Sequence, residues 1–208
     1  YAKERERALT HRNKYVESHI SEEQLMIDLT RLDITKESAA YKTSLAHIAA
    51  LLQQERAQKG LYLWGKPGVG KSYLAAGIAN HYAKLNKSVA FVNVPKLISE
   101  LKLLFREHEA MERKLKRMGA ADVLVLDDIA SESITAWSRD EVLLPLLDQR
   151  MEQHRLTFFS GNYSMDECKE RYVTTGNQMS EPMAAERIAD RIRALANAEF
   201  IKGNSRRK

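Results

Sequence analysis

Gly65-Lys66-Pro67-Gly68-Val69-Gly70-Lys71-Ser72 carries the spacing G-x-x-x-x-G-K-S, and its reading decides the fold. A triphosphate needs several hydrogen-bond donors converging on a small volume. Successive backbone N–H groups provide them only where no Cβ blocks the approach, which is what Gly65, Gly68 and Gly70 allow. Lys71 would reach the β- and γ-phosphate oxygens as a point charge. Ser72 would offer its hydroxyl to Mg²⁺, and a helix opening here would turn its positive end toward the anion. The flanks agree with that reading. Leu61-Tyr62-Leu63-Trp64 is a short apolar run of strand character, and Leu74, Ala75, Ile78, Ala79 and Tyr82 recur at helical spacing. A Gly/Pro turn that ends by chance in Lys-Ser would not have this context. Gly65, Lys66, Pro67, Gly68, Val69, Gly70, Lys71, Ser72 and Tyr73 are therefore the expected nucleotide contacts.

Working outward, Val123-Leu124-Val125-Leu126-Asp127-Asp128 is a buried strand whose carboxyl end delivers two carboxylates, the end at which open parallel sheets hold ligands. Asp127 is expected to hold Mg²⁺ with Ser72, and Asp128 to orient or deprotonate the attacking water. Neighbours on a strand point to opposite faces, so the two carboxylates are expected to do different jobs. Val89-Ala90-Phe91-Val92 reads as a further parallel strand. Leu156-Thr157-Phe158-Phe159-Ser160 reads as a fourth, ending in Gly161-Asn162. Asn162 at that end suits a γ-phosphate sensor, and a Gly-Asn pair equally suits a turn. Glu199-Phe200-Ile201 suggests a closing strand. The fold class is thus α/β, a three-layer αβα P-loop domain with a five-stranded parallel sheet.

Helices fill the intervals. Ser21-x-x-Gln24 starts a short one, and Ser38 to Gln54 carries the stripe Tyr41, Leu45, Ile48, Leu52. Pro95 opens the first of two helices over 96–118. Ser138-x-x-Glu141 reads as a capping box for a helix to about Gln153, kinked at Pro145. Ser164-x-x-Glu167 caps the next, Thr174 to Ser180 is a polar loop, and Glu181 to Asn197 is the last helix, with Arg187 and Arg191 along the border of its apolar stripe. The charge-dense residues 1–44 read as an N-terminal linker or arm, partly helical, ahead of the domain at 45–208. Leu29 to Ile34 is a plausible wall of an adenine pocket.

With 208 residues there is room for one sizeable core. The net charge of +5 permits a nucleic-acid partner without requiring one. Its local concentration is more telling: residues 96–118 hold Lys96, Lys102, Arg106, Arg113, Lys114, Lys116 and Arg117 against four carboxylates, a candidate phosphate-backbone contact or a solvated helical face. A single cysteine, Cys168, excludes an intramolecular disulfide and a multi-cysteine zinc site and points to a reducing, cytoplasmic setting. The six histidines lack metal-ligand spacing. No apolar run approaches the ~20 residues of a membrane span.

The order of these parts resembles the AAA+ ATPases, and among them the bacterial replicative helicase loaders of the DnaI/DnaC type. The resemblance is carried by 60–65, 68–74, Leu126-Asp127-Asp128-Ile129, 157–162 and Arg187-Ile188-Ala189-Asp190-Arg191-Ile192-Arg193. It implies ATP and Mg²⁺ as cofactors, Asn162 as sensor, and Arg191 with Arg187 as an arginine finger acting on a neighbouring subunit. It also implies residues 96–118 as a single-stranded DNA contact and a replicative helicase ring as partner. Self-association in the ATP-bound form and slow, assembly-dependent hydrolysis follow. Aspartate at 128, where most AAA+ members carry glutamate, and a chain that ends too soon after 201 for the helical lid both fit that slow rate. The zinc-binding N-terminal domain of such loaders is not recognisable, as in a fragment starting after it. A transposase-helper ATPase is the runner-up. A small-molecule P-loop kinase would need an Arg-rich lid that the sequence lacks.

Overall fold

The computed structural model describes residues 10–35, 37–55, 57–173 and 182–205. The expected polar loop at 174–180, the charged run at 3–7 and the basic tail beyond Ser205 lie outside them. In chain order the strands are β1 (Tyr15–Ser18), β2 (Gly60–Trp64), β3 (Val89–Asn93), β4 (Val123–Ile129), β5 (Leu156–Gly161) and β6 (Ala196–Phe200). The helices are α1 (Glu22–Leu25), α2 (Ala39–Leu52), α3 (Lys71–Lys84), α4 (Val94–Leu103), α5 (His108–Ala120), α6 (Leu144–Glu152), α7 (Met165–Val173) and α8 (Pro182–Leu195).

All strand pairs are parallel, in the order β1-β3-β4-β5-β2-β6. The five expected strands are present, and the arm adds a sixth at the edge: Tyr15 aligns with Val89 and Ser18 with Phe91. A four-residue edge strand with half-exposed side chains carries no apolar run, so periodicity gives no sign of it. What fixes it is tertiary. Asn80 of α3, fully buried, donates to the carbonyls of Gln24 and Ile27 and accepts from the Tyr15 hydroxyl at 2.6 Å, tying the arm to the core.

The sheet separates two apolar layers. One packs α2 and α3 on it through Ile48, Leu74, Ile78 and Phe158; the other packs α4 to α8 through Leu97, Leu101, Leu147, Ile188 and Ile192. Gly77 lies in mid-helix because Leu29 of the arm fills its side-chain position: a Cβ there would sit 2.4 Å from Leu29 Cδ2. Arg150 of α6 is fully buried and ties the starts of the neighbouring strands β4 and β5 together. It donates to Gly119 O and Thr157 Oγ1, both at 3.1 Å, and to the carbonyls of Ala121 and Leu156. Burial pushes its guanidinium down to about 9.

The helix before Pro145 differs from expectation. Ser138 does not pair with Glu141; it forms a reciprocal cap with Thr135, whose N–H donates to Ser138 Oγ at 2.9 Å and whose Oγ1 accepts from Ser138 N at 3.1 Å. From Trp137 to Leu143 the backbone is a π-helix, with Leu144 N–H bonded to Arg139 O five residues back, and α6 follows. Pro145 has no N–H to give its preceding turn, and it stands at the second residue of α6, directly after the wide turn.

Candidate functional site

β2 ends at Trp64, and the chain then turns through Gly65 (φ +147°), Gly68 (φ +85°) and Gly70 (φ +100°) before α3 begins at Lys71. Left-handed backbone at three positions is available without strain only to glycine. Lys71 is buried, its ammonium donating to Gly65 O at 2.8 Å, Lys66 O at 2.9 Å and Asn162 Oδ1 at 3.0 Å. The lysine and the asparagine singled out 91 positions apart in the sequence therefore touch.

Asn162 continues the chain of contacts. Its amide donates to Asp128 Oδ1 at 3.3 Å and lies 3.4 Å from Ser131 Oγ, while Ser131 donates to the same Asp128 oxygen at 2.7 Å. Asp128 has φ +61°, and the β4 to β5 register shifts between Leu126 and Ile129. The alternation expected of adjacent strand residues is broken by this bulge, and Asp127 and Asp128 both line one cleft. They remain distinct in setting: Asp127 is buried and Asp128 half-buried. The cleft, about 560 Å³, is lined by Pro67, Gly68, Gly70, Lys71, Ser72, Tyr73, Asn93, Asp127, Asp128, Ser160 and Asn162.

Two lining residues, Ser160 and Asn93, and Ser131 just behind them were not assigned a role from the sequence. Ser160 is buried on β5; its hydroxyl donates to Asp127 Oδ1 and accepts from Asp128 N–H at 3.1 Å, so one side chain sets both carboxylates. A hydroxyl directly after the buried pair Phe158-Phe159, near the carboxyl end of a central strand, is the signal that marks it. Ser131 fixes Asp128, and Asn93 caps α4 by accepting from Lys96 N at 3.2 Å. Neither stands out by spacing.

Beside the loop, a cavity of about 830 Å³ is walled by Glu37, Ser38, Lys66 and the segment Phe200 to Ser205. Leu29, Leu32 and Ile34 do not reach it. They face a separate cavity of about 530 Å³ with Leu45, Ala49, Gly77, His81 and Lys84, against the second half of α3 and away from the phosphate loop. Leu29 docks at Gly77, which holds the stretch expected to wall adenine against the second half of α3.

The basic segment divides in two. Lys114 is bonded to Glu17 of β1 at 2.7 Å and Glu100 at 2.9 Å, Arg117 to Glu17 at 2.7 Å, and Arg113 to Glu109 at 3.2 Å. Lys96, Lys102, Arg106 and Lys116 are exposed and have no ion-pair partner among the described residues. His19 accepts from Asn93 N–H at Nδ1 (3.1 Å) and faces Glu100 with Nε2 (3.2 Å). On α8, Arg187 is exposed and Arg191 is bonded to Asp148 of α6. Neither reaches the cleft of its own chain.

A glycine loop opening a helix, beside a strand ending in paired carboxylates and another ending in asparagine, defines a P-loop nucleotide-binding domain of AAA+ type. The chain belongs to the family described as IstB-like ATP binding protein, whose profile matches residues 3–208. It is 42% identical over 149 residues to the replicative helicase loader DnaI of Bacillus subtilis, covering 72% of this chain and 48% of that protein. To the replicative helicase loader DnaC of Escherichia coli it is 29% identical, covering 66% and 51%. A crystal structure of DnaI superposes with a TM-score of 0.78 at 34% identity, over 95% of this chain and 99% of that one. The chain spans about half the length of these two curated relatives. Among the described residues no helix is long and apolar enough to cross a membrane.

Proposed function

We propose that the protein is an ATP-dependent loader of a replicative DNA helicase, holding ATP·Mg²⁺ in the cleft and single-stranded DNA on α4 and α5. The observation that carries the reading is the contact chain Lys71–Asn162–Asp128, which joins loop, sensor and carboxylate in one place. The similarity to DnaI and DnaC supplies the biological context.

The residues suit the nucleotide. Positive-φ glycines leave backbone N–H groups unscreened, and one hydroxyl with one carboxylate, Ser72 and Asp127, is the hard oxygen set that Mg²⁺ takes together with phosphates. The bound nucleotide supplies the phosphoryl group that water attacks. Lys71 holds phosphate charge, and Ser160 holds Asp127 in one orientation. Asp128 has one oxygen committed to Ser131 and Asn162, leaving the other to orient water and take its proton. Asn162 links that carboxylate to Lys71, so phosphate engagement and water positioning are coupled. The cavity at Lys66 and Phe200 suits the base. Arg191 acts on the nucleotide of a neighbouring subunit, so turnover is slow in the free chain and rises on assembly; an arginine supplied in trans is worth roughly 10³–10⁵ in rate.

The test is ATP turnover of wild type, Lys71→Ala and Arg191→Ala, each with and without single-stranded DNA and the replicative helicase of the same cell. A slow rate that rises on assembly and is lost in both variants supports the loader. A rate indifferent to DNA, helicase and Arg191→Ala refutes it. One second reading, a transposase-helper ATPase, is favoured by 28% identity over 144 residues to the putative insertion sequence ATP-binding protein y4uH of Sinorhizobium fredii. Preference for duplex over single-stranded DNA, together with affinity for a transposase, would select it.

A further inference from the structure

We infer that Asp148 is the positioning residue for Arg191, fixing the side chain so that its terminal fork is presented to a second copy of this chain. The inference rests on the trans-acting arginine proposed above and adds what sets that arginine's geometry.

The arginines around α8 are held in different ways. Arg139 is fully buried, with its Nε and both terminal nitrogens engaged by Asp140 and the Tyr172 carbonyl. Arg193 has its terminal nitrogens taken by Glu186, Asp190 and Asp166. Arg187 is exposed and has no hydrogen-bond or ion-pair partner among the described residues. Arg191 differs from the other three: Asp148 Oδ1 holds it at Nε, as Asp140 holds Arg139, yet both of its terminal nitrogens have no partner among the described residues.

That grip leaves the part of guanidinium that reads phosphate oxygens in bidentate fashion. The pair lies at the surface, with Arg191 29% and Asp148 30% exposed, so another chain can approach it. An unheld arginine carries several rotatable bonds whose freedom is lost on engagement. One already held at Nε loses less, which is the advantage of a preorganised group. The support is rigid on both sides. α8 is seated by Ile188 and Ile192, both fully buried, and Asp148 stands two residues before the buried Arg150 that ties α6 to β5. An ion pair this exposed contributes little to folding, so stability is a poor explanation for it.

The experiment mixes variants of the whole chain under assembling conditions. Asp148→Asn alone should lose turnover about 10- to 100-fold, the effect of an ångström-scale misplacement. Its affinity for a fluorescent ATP analogue and its unfolding curve should stay at wild-type values. In excess Lys71→Ala, which lacks a working site but carries an intact Asp148 and Arg191, turnover per Asp148→Asn subunit should return to that of wild type in the same mixture. Arg191→Ala treated identically is the reference. If Arg191→Ala is restored while Asp148→Asn is not, or if Asp148→Asn is as active as wild type or binds nucleotide more weakly, the positioning role of Asp148 is overturned and the trans arginine stands. If Arg191→Ala keeps its turnover, or loses it without being restored, the trans arginine itself fails.

Discussion

Ser160→Ala tests the arrangement of the cleft most directly, since two bonds end on one buried hydroxyl. The bond to the Asp127 carboxylate is charge-assisted, worth about 1.5–3 kcal/mol, and the Asp128 N–H left without an acceptor costs about 1–3 kcal/mol. Water entering from the open cleft recovers part of both, so the expected loss of stability is about 2–4 kcal/mol. At a urea dependence of about 2 kcal/mol per molar, the unfolding midpoint falls by about 1–2 M, read from the fluorescence of Trp64 and Trp137. The functional effect is separate. An oriented carboxylate that loses its supporting hydrogen bond weakens metal affinity about 10- to 100-fold. Titrating Mg²⁺ against binding of a fluorescent ATP analogue should show that shift, while affinity without Mg²⁺, set by the intact loop, stays at the wild-type value. A midpoint within about 0.25 M of wild type, together with an unchanged Mg²⁺ dependence, would refute the assignment of Ser160 as the residue that sets the two carboxylates.

Three further outcomes are expected. Lys102→Ala and Lys116→Ala should each reduce the salt slope of single-stranded DNA binding by about 0.7; Lys114→Ala, whose ammonium is already held by Glu17 and Glu100, should leave the slope nearly unchanged and lower stability instead. Glu132 is buried with its carboxyl against the Tyr172 hydroxyl, and burial raises it above its ordinary value of 4.5. Its folded value exceeds its unfolded one, so its contribution to stability is complete below the unfolded value and is lost as pH rises through the folded one. Glu132→Gln should therefore gain on wild type as pH increases from 4.5 toward neutrality, measured by urea unfolding at each pH. Cys168 is buried, and burial pushes its thiol up to about 12, so labelling by an aromatic disulfide should proceed only at the rate of unfolding.

The parts of the fold that the sequence makes legible are those in which local pattern and burial agree. β2 and β3 are short apolar runs, β4 opens with four apolar residues, α2 opens at its Ser38 cap, and the glycines of the loop stand where positive φ is needed. Asp127, Asp128 and Asn162 lie at the carboxyl ends of strands and Lys71 opens the helix that follows β2; a parallel sheet gathers these at one edge, so their meeting follows from topology. Other features depend on contacts between distant segments. β1 exists because Asn80 and Glu17 find partners across the chain. The shared orientation of Asp127 and Asp128 comes from a bulge that residue alternation does not contain, and the Thr135–Ser138 cap displaces a box that fits the consensus equally well at Glu141. Charge counting along 96–118 treats seven cations alike, whereas three of them are neutralised by carboxylates, one of these from the arm.

The parallel attachment of β1 also has a mechanical meaning. Because β1 runs in the same direction as β3, the chain ahead of Tyr15 enters from the side opposite the phosphate cleft. A pull applied at Tyr15 along the strand axis would load the β1–β3 ladder in shear, and its bonds would share the force. Glu17 carries the same load sideways into α5 through Lys114 and Arg117. Tension on β1 would thereby be divided between the sheet and α5, as in a tendon with two insertions.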